Sequence, residues 1–360
     1  MSIQAVISGP HAHSMSSVTR VMLLVMMALF PATAFGLYRF GWPAINLFVI
    51  TVVAAILFEI ACLSTAKRPI AKHVLDGSAV LTGWLVAMTL PPWAPWWIGV
   101  LGSGIAIVIG KHVYGGLGQN LFNPAMVARV MLLISFPLHM TTWVLPAPLG
   151  SAGAPSFLEG LAITFLGTGK FDAVSSASVL GHVNTELGRG LALDTILPKT
   201  FSYSQLALGQ VSGSLGETSA ALILVGGLLL LATRTITWAI PFSILAMTAL
   251  LATAFNLIDP ARYPDAVFHL TSGALMLCAF FIATDYVTSP STTAGQLIYG
   301  ASTALLIFII RTWASFPEGV GFAVLLMNAC TPLIDHFVRP RVFGRNRSGK
   351  PLAVAAGDGK

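Results

Sequence analysis

The chain has 360 residues, of which 9% are charged and 56% belong to the hydrophobic set, and its mean hydropathy is +0.83. An ordinary soluble domain is about 25% charged, so the composition excludes a soluble globular domain and a disordered chain alike. Nineteen Lys and Arg against 13 Asp and Glu leave a net charge of +6. Outside the C-terminal tail these cations form no patch. Nucleic acid is therefore not an expected partner, and the charge reads as membrane orientation.

A helix that crosses a bilayer needs about 20 mostly apolar residues. Ten stretches qualify as candidates: residues 21–37, 44–65, 74–90, 96–109, 124–138, 220–232, 238–257, 267–284, 297–310 and 320–334. No alternation recurs at barrel spacing, so the expected fold is an all-α integral membrane protein. The chain divides into an N-terminal segment (1–20), five helices (21–138), a long loop (139–219), five more helices (220–336) and a basic tail (337–360). The first 19 residues carry no Lys or Arg and do not read as a cleaved signal peptide. With both termini cytoplasmic, the inner side holds Arg20, Lys67, Arg68, Lys72, Lys111, Arg234, Arg339, Arg341, Arg345, Arg347, Lys350 and Lys360. The short outer connections hold only Arg39, Arg262 and Arg311. That bias sets the expected orientation and puts the long loop outside.

In chain order, Glu59 is the first residue with chemistry to offer. A carboxylate within a span is read as functional by default. It is a candidate for the ion path, and the competing reading is an ion pair, with Lys67 and Arg68 nearby. Arg129, Asp285, Arg311 and Asp335 also fall in or at the ends of spans; for Arg311 and Asp335 structural roles are favoured. Cys62, Cys278 and Cys330 sit in apolar runs without metal-ligand spacing, and Met22, Met26 and Met27 read as lipid-facing or packing residues.

Between the fourth and fifth spans lies Gly110-Lys111-His112-Val113-Tyr114-Gly115-Gly116-Leu117-Gly118-Gln119-Asn120-Leu121-Phe122-Asn123-Pro124-Ala125. Glycines and an Asn-Pro pair at a membrane boundary suggest a broken helix, whose free backbone groups can serve a ligand or ion. Gly116, Gly118, Asn120 and Asn123 are the binding candidates here. Gly116-Leu117-Gly118 lacks the strand-turn-helix setting of a dinucleotide fingerprint, and no phosphate-binding P-loop is present.

The long loop contains Asp172-Ala173-Val174-Ser175-Ser176-Ala177-Ser178. It resembles the flavinylation motif Asp-x-x-(Ser/Thr)-(Gly/Ser)-Ala-Thr, in which a flavin transferase esterifies the last hydroxyl with the phosphate of FMN. Such a transfer needs a hydroxyl nucleophile among small neighbours, and Ser175, Ser176 and Ala177 are small. Ser178 stands where threonine is usual and keeps the nucleophilic oxygen.

The two halves of the chain also echo. Gly77-Ser78-Ala79-Val80-Leu81 resembles Ser272-Gly273-Ala274-Leu275-Met276, and the Gly116–Ala125 stretch resembles Gly319-Val320-Gly321 with Met327-Asn328-Ala329-Cys330-Thr331-Pro332. Five spans per half would invert the second half relative to the first, an architecture of transporters with sites near the midplane.

Together the ten spans, the Gly-Lys-x-x-x-Gly-Gly-x-Gly-x-Asn-x-Phe-Asn-Pro-Ala stretch, the loop motif and Ala283-Thr284-Asp285-Tyr286-Val287-Thr288-Ser289-Pro290 resemble one family. It comprises the membrane protein RnfD of the Rnf electron transport complex and its counterpart in the sodium-translocating NADH:quinone reductase. The resemblance implies covalent FMN on the outer face, on Ser178, and noncovalent riboflavin in the membrane part. It also implies a place in a bacterial inner-membrane complex with other membrane, iron-sulfur and flavin subunits, coupling electron transfer between ferredoxin and NAD to ion movement. Two other readings of the sequence remain: an inverted-repeat solute or ion transporter without redox role, and a relative that has lost its flavin.

Overall fold

The computed structural model describes residues 17–340 apart from 152, 168–174, 177, 194, 197–201, 218, 315 and 317. The helix Val18–Thr65 starts at Ser17, whose hydroxyl accepts the Arg20 N–H at 3.2 Å. It is helical at every residue but Gly41, whose φ of +74° and ψ of −160° break the winding. Only glycine adopts such a conformation at little cost, and Pro43 then sits in the first turn after the break, where its missing N–H is not needed. The break folds the chain back on itself. Trp84 donates its indole N–H to Thr33 Oγ1 at 2.8 Å and stacks edge-on against Phe48 with ring centroids 5.2 Å apart. On a straight helix residues 33 and 48 would be about 22 Å apart, beyond the reach of one side chain.

The helices Ser78–Thr89 and Trp96–Gly104 lie along the second half of this hairpin. A Cβ on Gly83 would fall 2.7 Å from the Ala55 Cβ, and one on Gly99 would fall 2.4 Å from Thr51 Oγ1. Small residues at such crossings let backbones approach where lipid leaves little hydrophobic drive for association. Trp96–Gly104 continues as a π-helical segment, Ile105–His112, and the next helix is Pro124–Ser135. In the second half run Ala220–Ala232, Ala239–Ile258, the short Ala266–Thr271 and Leu275–Leu277, π-helical Cys278–Ile282, and the long Thr293–Trp313 and Val320–Phe337. Four described helices, Val18–Thr65, Ala239–Ile258, Thr293–Trp313 and Val320–Phe337, are long and apolar enough to cross a membrane. Large apolar side chains such as Phe30, Leu57, Ile134, Phe242, Leu250 and Leu333 are exposed around the bundle, as a lipid-facing surface requires.

Two expected spans differ in detail. The apolar run predicts one helix over 267–284, but Gly273 adopts φ +65° and Ser272 is extended, so the helix breaks after Thr271 and restarts at Leu275. Residues 124–138 stop at Ser135, because Pro137 forces the preceding residue out of the helical region. Each of the two stretches that echo between the halves holds a left-handed glycine, Gly77 and Gly273, ahead of a helix.

Between the halves, helices Phe157–Leu166, Val179–Gly188 and Tyr203–Leu208 pack on the bundle. Val179, Leu180, Val183, Leu193, Ile196 and Leu206 form a separate apolar cluster with Phe268. Trp143–Val144 pairs antiparallel with Ser175–Ser176, Trp143 opposite Ser176.

Candidate functional sites at the two ends of the bundle

The first site forms where the π-helical segment meets the Pro124–Ser135 helix. A Cβ on Gly110 would lie 2.9 Å from Pro124 Cα, so glycine permits the two chain segments to touch. The connection between them turns through Gly115, Gly116 and Gly118, with φ of +118°, +101° and +86°. Arg68 donates to the Gly115 carbonyl at 2.8 Å and fixes the turn. Asn123 then caps the new helix, its Oδ1 accepting from the N–H groups of Ala125 and Met126 at 3.1 and 3.2 Å. It also ties the two halves of the chain together. Its own N–H donates to Asn328 Oδ1 at 3.0 Å and its amide donates to the Ile282 carbonyl at 3.3 Å. Asn328 lies near the middle of Val320–Phe337 and donates in turn to Thr288 O and Tyr299 Oη. The expected broken helix is thus present, with its capped start deep in the bundle.

A cavity opens beside this start. Lys111, Asn120, Asn123 and Asp285 supply polar groups, and Phe280 and Phe281 supply apolar walls. Gly116 and Gly118 shape the turn that precedes it; neither lines the cavity.

Behind the cavity is a buried ionic network. The Lys111 ammonium donates to both Glu59 oxygens at 2.9 Å and to Ser78 Oγ at 2.8 Å. His112 Nε2 lies 3.0 Å from Glu59 Oε2. The partners differ from Lys67 and Arg68, the cations near in sequence. The wider winding of a π-helix turns successive side chains through a smaller angle, which helps Lys111 and His112 converge on one carboxylate. Such bulges are common at functional sites.

The second site lies at the other end, beneath the helix Val179–Gly188. Ser178 is 4% exposed, and its Oγ accepts the Gly181 N–H at 3.2 Å as the helix cap. It shares a small crevice with Ser212, Glu217, Ser272 and Gly273. Asp172 and Ala177 lie outside the described residues; Ser175 and Ser176 sit in the two-residue strand. Glu318 lies next to Gly273, and from Val320, two residues further on, the helix rises about 12 Å to Asn328. Ser178 and the Asn120–Asn123 cavity are therefore two sites, not one.

Below Ser178 four charged groups meet that the sequence did not single out as a set. Glu318 Oε1 accepts the Ala274 N–H at 2.6 Å and lies 3.6 Å from Arg311, which donates to the His269 and Ser272 carbonyls at 3.0 and 3.1 Å. Glu217 accepts from Ser214 Oγ at 2.6 Å. Arg129 donates to the Thr89 carbonyl and stacks over Trp143. Burial first, and the neighbouring Glu318 second, push the Glu217 carboxyl up from 4.5 to about 8. A raised acid holds its proton in the folded state where the unfolded chain has lost it. Its contribution to stability is full below about pH 4.5 and is lost as pH rises to about 8. The unfolding temperature of the purified chain should fall across that window, and Glu217→Gln should flatten the fall. An identical slope in the variant would exclude Glu217 as its source. At the opposite end Asp335 has a structural task, accepting from the Ser291 N–H and hydroxyl at 3.1 Å.

Apolar helices with a lipid-facing surface, one of them restarting inside the bundle at a capped Asn-Pro, define a multi-pass helical membrane protein. The chain belongs to the NQR2, RnfD, RnfE family, whose profile matches residues 5–344. It is 52% identical over 348 residues to the D subunit of the ion-translocating oxidoreductase complex of Halorhodospira halophila, covering 97% of this chain and 98% of that one. To the proteins of the same name from Stutzerimonas stutzeri and Rhodobacter capsulatus it is 57% identical, over 340 and 315 residues. Those matches cover 94% and 88% of this chain, and 96% and 87% of the relatives.

Proposed function

We propose that this chain is the flavin-bearing membrane subunit of an ion-translocating oxidoreductase complex that couples electron transfer between ferredoxin and NAD to ion movement. The relatives' shared name supports the complex. The observation that carries the flavin assignment is Ser178, a hydroxyl at the end of the loop motif that caps a helix. Its cap requires only an acceptor, so conversion to a phosphoester leaves that bond possible, and a helix N-terminus suits a phosphate.

The cavity at Asn120 and Asn123 is the proposed seat of noncovalent riboflavin. Amide, ammonium and carboxyl groups fit the polar edge of a flavin ring, and Phe280 and Phe281 fit its faces. The open volume is about 110 Å³, below the few hundred Å³ of a typical ligand pocket. A ring therefore enters only with side-chain displacement, for which Met22 is the pliable wall. When bound, flavins carry electrons one or two at a time.

Other membrane, iron-sulfur and flavin subunits are the implied partners, with a flavin transferase for maturation, in a bacterial inner membrane. Both termini are placed in the cytoplasm on the charge bias, and the five-helix halves as an inverted repeat. A reporter fused near residue 190 that reads out in the cytoplasm would overturn this orientation. The test of the function is direct: the denatured chain from its native host should fluoresce in a gel under ultraviolet light, and a dark band removes the covalent flavin.

A further inference from the structure

Lys111 belongs at once to the ionic network and to the cavity wall. Its three ammonium protons are all in use, two on the Glu59 oxygens and one on Ser78 Oγ. The Lys111 and Glu59 side chains are 3% and 2% exposed, so water does not supply a substitute for either. A further acceptor, or a negative charge, arriving in the cavity competes with Glu59 for this ammonium.

The competition has a consequence at Glu59. A carboxylate this deeply buried and left without its cation is strongly unfavourable, so it must gain positive charge from elsewhere. His112 Nε2 lies 3.0 Å away and makes no hydrogen bond in the present arrangement. Among the described residues, the other titratable or charged groups nearby are Cys62 on the Glu59 helix, Asp76 beside Ser78, Asp285 and Tyr286 on the cavity wall, and Arg68 at the glycine turn. The first four supply no cation, and the Arg68 guanidinium is engaged by the Gly115 carbonyl at 2.8 Å. The positive charge comes as a proton, on His112 or on Glu59 itself, or as a small cation such as Na⁺ at the vacated carboxylate.

We infer that Lys111 is a positioning residue that links negative charge in the Asn120–Asn123 cavity to uptake of a monovalent cation at Glu59. The inference rests on the cavity being the ring-ligand site proposed above. Linkage makes it reciprocal: a cation bound at Glu59 frees Lys111 and strengthens binding of an electron-rich ligand by the same factor.

The test uses the full chain made without flavin transferase, so that no covalent flavin is present, with riboflavin as the probe. Its dissociation constant is measured by ultrafiltration in the oxidised and the chemically reduced form. Each is measured with Na⁺ or with choline at equal ionic strength, and across neutral pH. In the wild-type chain the preference for the reduced form should rise about fivefold or more on adding Na⁺ or on lowering pH. The arm that moves identifies the cation. The double substitution Lys111→Gln with Glu59→Gln removes both charges together and leaves no buried ion unpaired. Having lost a cavity-wall ammonium, it should bind riboflavin more weakly in both forms, and its preference for the reduced form should no longer change with Na⁺ and should vary with pH only through the ring's own protonation. A double variant that responds as the wild type does, or a wild-type chain that binds riboflavin without any response, overturns the role of Lys111 alone. Failure of the wild-type chain to bind riboflavin in either form overturns the cavity assignment and this inference with it.

Discussion

Ser178→Ala should remove in-gel flavin fluorescence from the chain entirely, while Ser178→Thr should keep it. The reason is chemical: the phosphoester needs a side-chain hydroxyl, and alanine has none. Alanine also removes a helix cap, since Ser178 Oγ accepts the Gly181 N–H. Loss of such a cap costs about 1 kcal/mol and would loosen the Val179–Gly188 helix whether or not flavin is attached. Ser178→Asn separates the two effects. Asparagine caps a helix as well as serine does but offers no hydroxyl, so this variant should keep the cap that alanine loses and still be dark. A fluorescent Ser178→Asn band would move the attachment site to another hydroxyl, with Ser175 and Ser176 next in line. Ser178 is 4% exposed, and Val179, Leu180 and Val183 behind it are buried. The packed helix is then a poor substrate for a transferase. Flavin should be acquired during synthesis, and adding transferase and cofactor to purified, folded, unmodified chain should label it slowly.

Much of the helical layout was legible in the sequence because apolar runs in a lipid-facing protein have few alternatives to helix. The breaks were less so. Pro137 announces its own helix end, but Gly273 looked like one small residue in a packed stretch until its positive φ placed it at a turn. The Asn123 cap was readable from Asn-Pro-Ala, since an N-cap followed by proline is a local signal. Its second role, meeting Asn328, was not, because the two are 205 residues apart. The ionic networks show the same limit. Nearness in sequence points to Lys67 and Arg68 as partners of Glu59, whereas Lys111 reaches it from 52 residues away on a differently wound helix. Glu217 and Glu318 sit at the edges of unrelated connections, and only the fold brings them beside Arg311 and Ser178.

Glu59→Gln should lower the yield and thermal stability of the chain sharply, and adding Lys111→Gln should restore most of the loss. In the wild-type protein the buried Glu59 carboxylate and Lys111 ammonium neutralise each other at 2.9 Å. Glutamine keeps the shape of Glu59 but removes its charge, which leaves an ammonium 3% exposed without a counter-ion. Breaking one side of a buried pair costs about 3–5 kcal/mol, chiefly because it leaves an uncompensated buried charge, and the double variant removes that charge. Equal stability of the single and double variants would show that the pair is not what holds this end of the bundle together. The double variant then addresses transport without the confusion of misfolding. If the Glu59 carboxylate lies on the ion path, uptake into vesicles per unit of bound flavin falls in the double variant even though assembly recovers. An uptake-to-flavin ratio equal to that of the wild type would remove Glu59 from the path and leave it a purely structural partner of Lys111.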